Sequence, residues 1–451
     1  MLKKIFCIFI AFLLVVGGSM TAFAFTPTDF KVSAKAGLVV TYDTNEYIYD
    51  KNSEQKLNIT ALSFVMSGLV IAEKCPDLDA YSAEMTLEVK KRYLGTGLKV
   101  IEMKIGGKYT VRELISLALI GSYSDAMYLA AITVFGSEGD CVNAMNQKAA
   151  ELGMADTVFV DLNGFEASQY STARDVAKMF KAACENSVIK EIMSTRKYTL
   201  SKNEYREKAT GNFDSVSFSN SCMIINPGTV HFYNKVVAGK SGTTDAAGRC
   251  IVTLGEEKGN RYICVLLGEP QTTDRDQNGN TIRYDFIDTK NLIGWAISNF
   301  SYRMVLSKGD IIASVPIRLA SDIDSITVAA ASDLYATLPK STDNSTLDLT
   351  RCHYKEENFR APIEAGESLG YLEVYFADEK IGEVELVAAI GADVSVWLVI
   401  EDAVVSVITS KWFTALVLII LALVVSFILT LLIMNLRRKI KRSKKVHKDK
   451  F

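Results

Sequence analysis

The run from Trp412 to Met434 contains no charged residue, and a chain carrying it must give it an apolar surrounding along its whole length. About 20 apolar residues cross the hydrocarbon layer of a bilayer, so this run is long enough to span with some tilt. Nine Lys and Arg residues crowd the stretch from Arg437 to Lys450 directly after it. A basic cluster on that side of an apolar span marks the cytoplasmic face. The expectation is a single transmembrane helix over 412–434 with a basic cytoplasmic tail over 435–451.

The other end agrees in direction. Lys3 and Lys4 precede an apolar run from Ile5 to Val16, and Ala22 and Ala24 take the small-residue positions before a signal-peptidase cut. This is the order of a secretory signal peptide over residues 1–24. The bulk of the chain is therefore expected outside the cytoplasm, held at the cell membrane by one pass.

That topology changes the meaning of the charge. The whole chain has 50 Lys and Arg against 52 Asp and Glu. Without the nine basic and one acidic residues of the tail and the two lysines of the signal, 39 basic face 51 acidic residues, a net of −12. An acidic exterior argues against nucleic acid as a partner. Seven cysteines follow the signal (Cys75, Cys141, Cys184, Cys222, Cys250, Cys264 and Cys352), scattered and odd in number. None forms a CxxC or His/Cys cluster, so neither a metal nor a cofactor is expected. Most read as small core residues; any disulfide pairing stays open.

Roughly 385 residues lie between signal and span, too many for one compact core, which predicts two domains, with the boundary near residue 300. The first opens with strand-like runs, Gly37 to Tyr42 and Tyr47 to Tyr49, joined by the turn-rich Asp43-Thr44-Asn45-Glu46, a hairpin pattern. Helical segments follow: Ser63 to Glu73, and two runs that open on capping-box patterns, Thr110-Val111-Arg112-Glu113 and Thr172-Ala173-Arg174-Asp175. Strand-like runs return at Lys235–Lys240, Arg249–Leu254 and Arg261–Leu267. Strands at both ends with helices between predict an α+β domain over 25–300 whose terminal strands share one sheet. The region 301–403 carries β-type runs separated by turns and reads as a small β-sandwich without a catalytic constellation.

Two short segments carry chemistry. In Lys240-Ser241-Gly242-Thr243 the glycine lets a ligand approach the backbone, and the amine and hydroxyls can hold a carboxylate. Ser122-Tyr123-Ser124-Asp125-Ala126 follows the apolar run after Thr110. In this order they resemble two of the three motifs of the penicillin-binding proteins, and of these the D-alanyl-D-alanine carboxypeptidases are the most similar. Tyr170-Ser171-Thr172-Ala173-Arg174-Asp175, the stretch Lys240 to Gly248, and Ala361-Pro362-Ile363 with Gly366 and Gly370 extend the resemblance over nearly all of the exported part. It implies a β-lactamase/transpeptidase-like fold, an antiparallel sheet flanked by helices, followed by a β-rich domain. It also implies a serine peptidase that trims peptidoglycan stem peptides.

The third motif departs. The family has Ser-x-x-Lys at the start of a buried helix, the Ser attacking and the Lys one turn on taking its proton. Matching Phe64-Val65-Met66-Ser67 to the family's Lys-Ile-Met-Thr puts Ala61 at the nucleophile position and Phe64 at the base position, and neither side chain can do that work. Ser122 matches a proton-relay serine; Ser124 stands where the family has a longer Asn; Lys240, Ser241, Gly242 and Thr243 are implied to bind substrate. The literal strings Ser53-Glu54-Gln55-Lys56 and Ser187-Val188-Ile189-Lys190 lie outside the needed context, and Ser63 points about 200° away from Ala61 on a helix.

The resemblance with this departure implies a non-catalytic relative at the outer membrane face, binding peptidoglycan stem peptides or a cell-wall protein partner. Two other readings stand beside it: an active carboxypeptidase with a relocated nucleophile, and a scaffold acting through the β-rich domain.

Overall fold

The computed structural model describes residues 31–93, 95–101, 103, 105–200 and 216–448; the expected signal peptide lies outside them. The chain divides into two compact units, Met1–Arg303 with Ala336–Thr342, and Met304–Tyr335 with Asp343–Phe451.

In the first unit, β1 (Ala36–Thr41) and β2 (Tyr47–Lys51) form an antiparallel hairpin, Gly37 opposite Lys51 and Val40 opposite Tyr47. The chain then builds α1 (Ser63–Lys74), α2 (Val111–Gly121), α3 (Ser124–Phe135), α4 (Glu138–Glu151), α5 (Ala173–Glu185) and α6 (Ser187–Ser194). It returns as β3 (Val236–Thr244), β4 (Gly248–Glu257) and β5 (Asn260–Glu269), and ends in α7 (Tyr284–Asn299). The sheet order is β2-β1-β5-β4-β3, antiparallel throughout. The first and last strands of this sheet in chain order are neighbours, Ala36 opposite Leu267 and Thr41 opposite Tyr262.

Successive strand side chains point to opposite faces, and here both faces are covered. Leu38, Val40, Ile263, Val265 and Leu267 join the core under α1 to α6. Val39, Tyr262, Cys264 and Leu266 join a second core with Phe286, Leu292 and Ile293 of α7. That double cover is why β5 reads as an unbroken apolar run instead of an alternation.

The caps fix where two helices start. Thr110 accepts from the Glu113 amide at 3.2 Å and the Glu113 carboxylate accepts from the Thr110 amide at 3.0 Å, a complete capping box on α2. Thr110→Ala should cost about 1 kcal/mol of stability, read as a lowered urea midpoint with an unchanged slope; an unchanged midpoint would contradict it. The second expected box is only half made. Thr172 accepts from the Asp175 amide at 3.1 Å, but the Asp175 carboxylate accepts from the Asp156 amide at 3.0 Å and Thr157 Oγ1 at 2.9 Å. A tertiary partner has taken the side chain from its local one.

The second unit holds a six-stranded sheet. Its strands are β6 (Ile311–Arg318), β7 (Ser325–Ala330), β8 (Asp348–Tyr354), β9 (Phe359–Arg360), β10 (Ser368–Phe376) and β11 (Glu379–Ala388), in the order β8-β10-β11-β7-β6-β9. The short pair β6/β9 is parallel and the others antiparallel. Strand structure ends at Ala388, and the last part of the expected β region is helical: α8 (Val396–Thr409), followed across Ser410 by α9 (Lys411–Lys448). The segment Lys411–Lys439 is long and apolar enough to cross a membrane, and none of its apolar stretch is buried in the fold. Among the described residues the seven cysteines are free thiols, six of them buried and Cys352 half-buried.

Candidate active site

The site forms where the 3-10 turn Thr60–Leu62 leading into α1, the α2–α3 corner and strand β3 converge. Helix α1 is buried from Ser63 to Ile71, so its first turn is held inside the protein. Gly242 on β3 allows the closest approach. A Cβ there would lie 2.2 Å from Thr60 Oγ1, 2.7 Å from the Ala61 nitrogen and 2.9 Å from the Ala61 Cβ. Only a glycine lets the strand and the turn meet this closely.

At the corner, Ser122 caps α2 with φ of +60°, in the left-handed region. That backbone state is uncommon outside glycine and clusters at functional sites. It brings the Ser122 hydroxyl to the Lys240 ammonium, which donates to it. Ser122 Oγ also lies 3.1 Å from Ser221 Oγ, and Lys240 Nζ is 3.5 Å from the same Ser221 oxygen. Ser241 Oγ donates to the Ser221 carbonyl at 3.2 Å. Ser221 thus ties the Ser122 and Lys240 segments together.

Phe64 lies beside Lys240. Its ring centroid is 5.3 Å from Nζ, within the range of a cation–π contact. Phe64 and Lys240 are both buried, at 2% and 0% exposure, so the space beside the ammonium is filled by the ring. Among the described residues, the partners of Lys240 are hydroxyls and a ring, with no carboxylate. Burial pushes its pKa down from 10.5 to about 7, the Cys222 thiol working against that and the charge of Lys99 adding to it.

The remaining expected residues are close in sequence and less engaged. Ser124 opens α3, is buried, and donates its amide to the Lys99 carbonyl at 2.8 Å. Asp125 beside it is pushed up to about 6 by burial, against amides from Ile101 and Ala126 that favour its charged form. Thr243 is exposed at the rim, and Ala61 and Gly242 are half-buried. Strand β3 is the outer strand of its sheet.

Two contributors were missed by sequence reasoning. Ser221 sits in a loop with no motif of its own. Lys99 donates to the Gly121 carbonyl at 2.7 Å and lies 4.6 Å from the Tyr123 ring centroid. Both are remote in sequence from the segments they brace, and no local spacing announces them.

The serines weighed as displaced nucleophiles are engaged elsewhere. Ser53 is buried and donates to Asp50 Oδ2 at 2.6 Å, while Arg174 Nε donates to it at 2.9 Å. Lys56 pairs instead with Asp156 at 2.9 Å. Ser63 is buried, donates to the Thr60 carbonyl at 3.0 Å and accepts from Gln169.

The family model described as D-alanyl-D-alanine carboxypeptidase matches residues 22–271, and that of the penicillin-binding protein 5 C-terminal domain matches residues 300–391. D-alanyl-D-alanine carboxypeptidase DacF of Bacillus subtilis is 27% identical over 344 residues, covering 75% of this chain and 80% of its own. DacC of Escherichia coli is 27% identical over 301 residues, covering 63% and 68%. Among solved structures, penicillin-binding protein 5 from Haemophilus influenzae superposes with a TM-score of 0.62 at 20% identity, over 82% of this chain and 100% of that one. PBP3 from Streptococcus pneumoniae, a peptidoglycan synthesis regulatory factor, gives 0.61 at 21% identity, over 81% and 100%.

Proposed function

The chain belongs to the D-alanyl-D-alanine carboxypeptidase family, and from that premise we propose that it is a member without hydrolytic chemistry, anchored by α9 at the outer membrane face, that binds peptidoglycan stem peptides. One observation carries the reading. The resemblance gives Phe64 the place of the base, and its ring packs 5.3 Å from Lys240 Nζ. Ala61, at the nucleophile place, abuts Gly242. An alanine has no attacking oxygen and a phenylalanine accepts no proton.

The size of that loss decides against slow turnover as the role. In a serine peptidase, removing nucleophile or base costs about 10⁶ in rate, without adding. About 10³–10⁴ over water then remains, from oxyanion donors and positioning. A relocated nucleophile has little to support it, since the Ser53 and Ser63 hydroxyls are buried in other hydrogen bonds.

Binding needs less than catalysis does. An extended peptide can add to the outer edge of β3 through its backbone, and the Thr243 hydroxyl and the Ser122–Ser221–Lys240 group lie beside that edge for its terminal carboxylate. The cytoplasmic tail and outward-facing units follow from the apolar span with its basic flank. The test is to incubate the purified full chain with labelled penicillin and with a D-alanyl-D-alanine pentapeptide. The expected result is no adduct surviving denaturation, no released D-alanine, and reversible peptide binding. A covalent, serine-dependent adduct overturns the proposal.

A further inference from the structure

Three neighbouring strands of the β-rich unit set their solvent-facing side chains in rows. Side chains alternate between the two faces of a strand, so the register of β8, β10 and β11 puts His353, Tyr371 and Glu385 in one row across the sheet. Arg351, Glu373 and Glu383 make the next row. Between the rows, Leu372 and Val384 turn the other way and are buried.

The second row is satisfied from within. Lys380 Nζ donates to Glu373 at 2.7 Å and to Glu383 at 2.8 Å. The Tyr375 hydroxyl donates to Glu373 at 3.3 Å. Arg351 pairs with Asp348 at 3.1 Å and lies 3.8 Å from the Tyr375 ring centroid. The first row is different. The rings of His353 and Tyr371 are stacked, with centroids 4.7 Å and planes 17° apart, and Tyr371 remains 39% exposed. Among the described residues, the Tyr371 hydroxyl, the Glu385 carboxylate and the ammonium of nearby Lys355 have no hydrogen-bond or ion-pair partner. The Ser368 hydroxyl is buried and also lacks one. These four residues, with His353 and Glu383, line one pocket of about 590 Å³, a volume in the range of small-ligand sites.

The groups left over decide what suits the pocket. Lys355 and Glu385 carry one charge of each sign, so a polycation or a polyanion would meet repulsion from one of them. A purely apolar partner would bury the polar groups without partners, which is costly. A saccharide ring meets both conditions. It offers a face of C–H groups to an aromatic ring. Its rim of hydroxyls can donate to a carboxylate and accept from an ammonium. We propose that this pocket binds a neutral saccharide chain, one ring lying on Tyr371 and its hydroxyls shared among Glu385, Lys355 and Ser368. Under the function proposed above, the glycan strand of peptidoglycan supplies such a chain. The pocket lies wholly in the β-rich unit and needs nothing from Ala61 or Phe64.

The test uses the full chain in lauryldimethylamine oxide micelles, which carry no sugar head group. It is titrated calorimetrically with the tetramer of N-acetylglucosamine and, separately, with the D-alanyl-D-alanine pentapeptide. The native chain is expected to bind the tetramer saturably. Tyr371→Ala should weaken that binding about tenfold or more, and Glu385→Gln about threefold. Tyr371→Phe, which keeps the ring, should stay within about threefold of native. All three variants should keep the native circular dichroism and native pentapeptide binding. No binding at millimolar tetramer, or binding that Tyr371→Ala leaves unchanged, overturns the inference. Self-association in sedimentation that Tyr371→Ala abolishes would put a second copy of the chain on this face and also overturns it. Tetramer binding without pentapeptide binding overturns the stem-peptide reading and leaves the saccharide pocket standing.

Discussion

Restoring both side chains at once, Ala61→Ser with Phe64→Lys, is expected to give a chain that takes up labelled penicillin covalently, while the native chain and each single variant take up none. The losses of a nucleophile and its base do not add, so either restoration alone leaves the other defect in full. The geometry favours the pair. A lysine at position 64 would replace a buried ring 5.3 Å from Lys240 Nζ. Two charged amines at that separation repel by about 3 kcal/mol at an effective dielectric of 20. Lys240 already sits at about 7, so one of the two amines must be neutral near neutral pH, and a neutral amine at position 64 is the base the attack needs. Ser124 remains shorter than the family's Asn, so acylation should be slow, and the readout is adduct after hours against none. A double variant with native circular dichroism and no adduct would mean that more than these two side chains was lost, and would sink the reading of the site.

The parts of this that could be read from the sequence were local. The Thr110–Glu113 box, the hairpin at the start, and Lys240-Ser241-Gly242 on a strand all depend on residues a few positions apart, and the structure keeps each of them. The misses are tertiary. Ser221 reaches Ser122 across 99 positions. The Asp175 carboxylate turned from its own helix end to Thr157. Helix α8 escaped because its residues are apolar and β-branched on nearly every side, so its run has neither a clear period of 3.6 nor one of 2. That Phe64 fills the space beside Lys240 could be posed from the sequence only as a question, because packing decides it.

Replacing Lys240 with Met should stabilise the first unit at pH 7, and the gain should fade as pH approaches 10.5. The sign follows from linkage. The Lys240 amine has a pKa near 7 in the folded chain against an ordinary 10.5. Between those values the unfolded chain holds a proton that the folded chain does not, so this group makes stability rise with pH across that window. Below 7 its penalty is constant and at its largest. At about 1.4 kcal/mol per tenfold, the interval from 10.5 to about 7 sets a ceiling on the order of 5 kcal/mol. Met keeps the length and apolar body of the side chain, and the Ser122 and Ser221 hydroxyls, 3.1 Å apart, can still bond each other. The native profile alone would mislead, because burial holds the thiols of Cys141, Cys184, Cys222 and Cys250 up at about 12. Such raised groups remove stability as pH climbs past the ordinary thiol value. The difference between variant and native cancels them. Urea unfolding of both full chains in detergent, at steps from pH 6 to 10, checks it, and a difference that stays flat across that range would refute the buried-amine account. A large difference at pH 7 has a further consequence. An amine that lowers stability is then held in place by something other than folding, and under the proposed function an anionic peptide end on the β3 edge would supply that role.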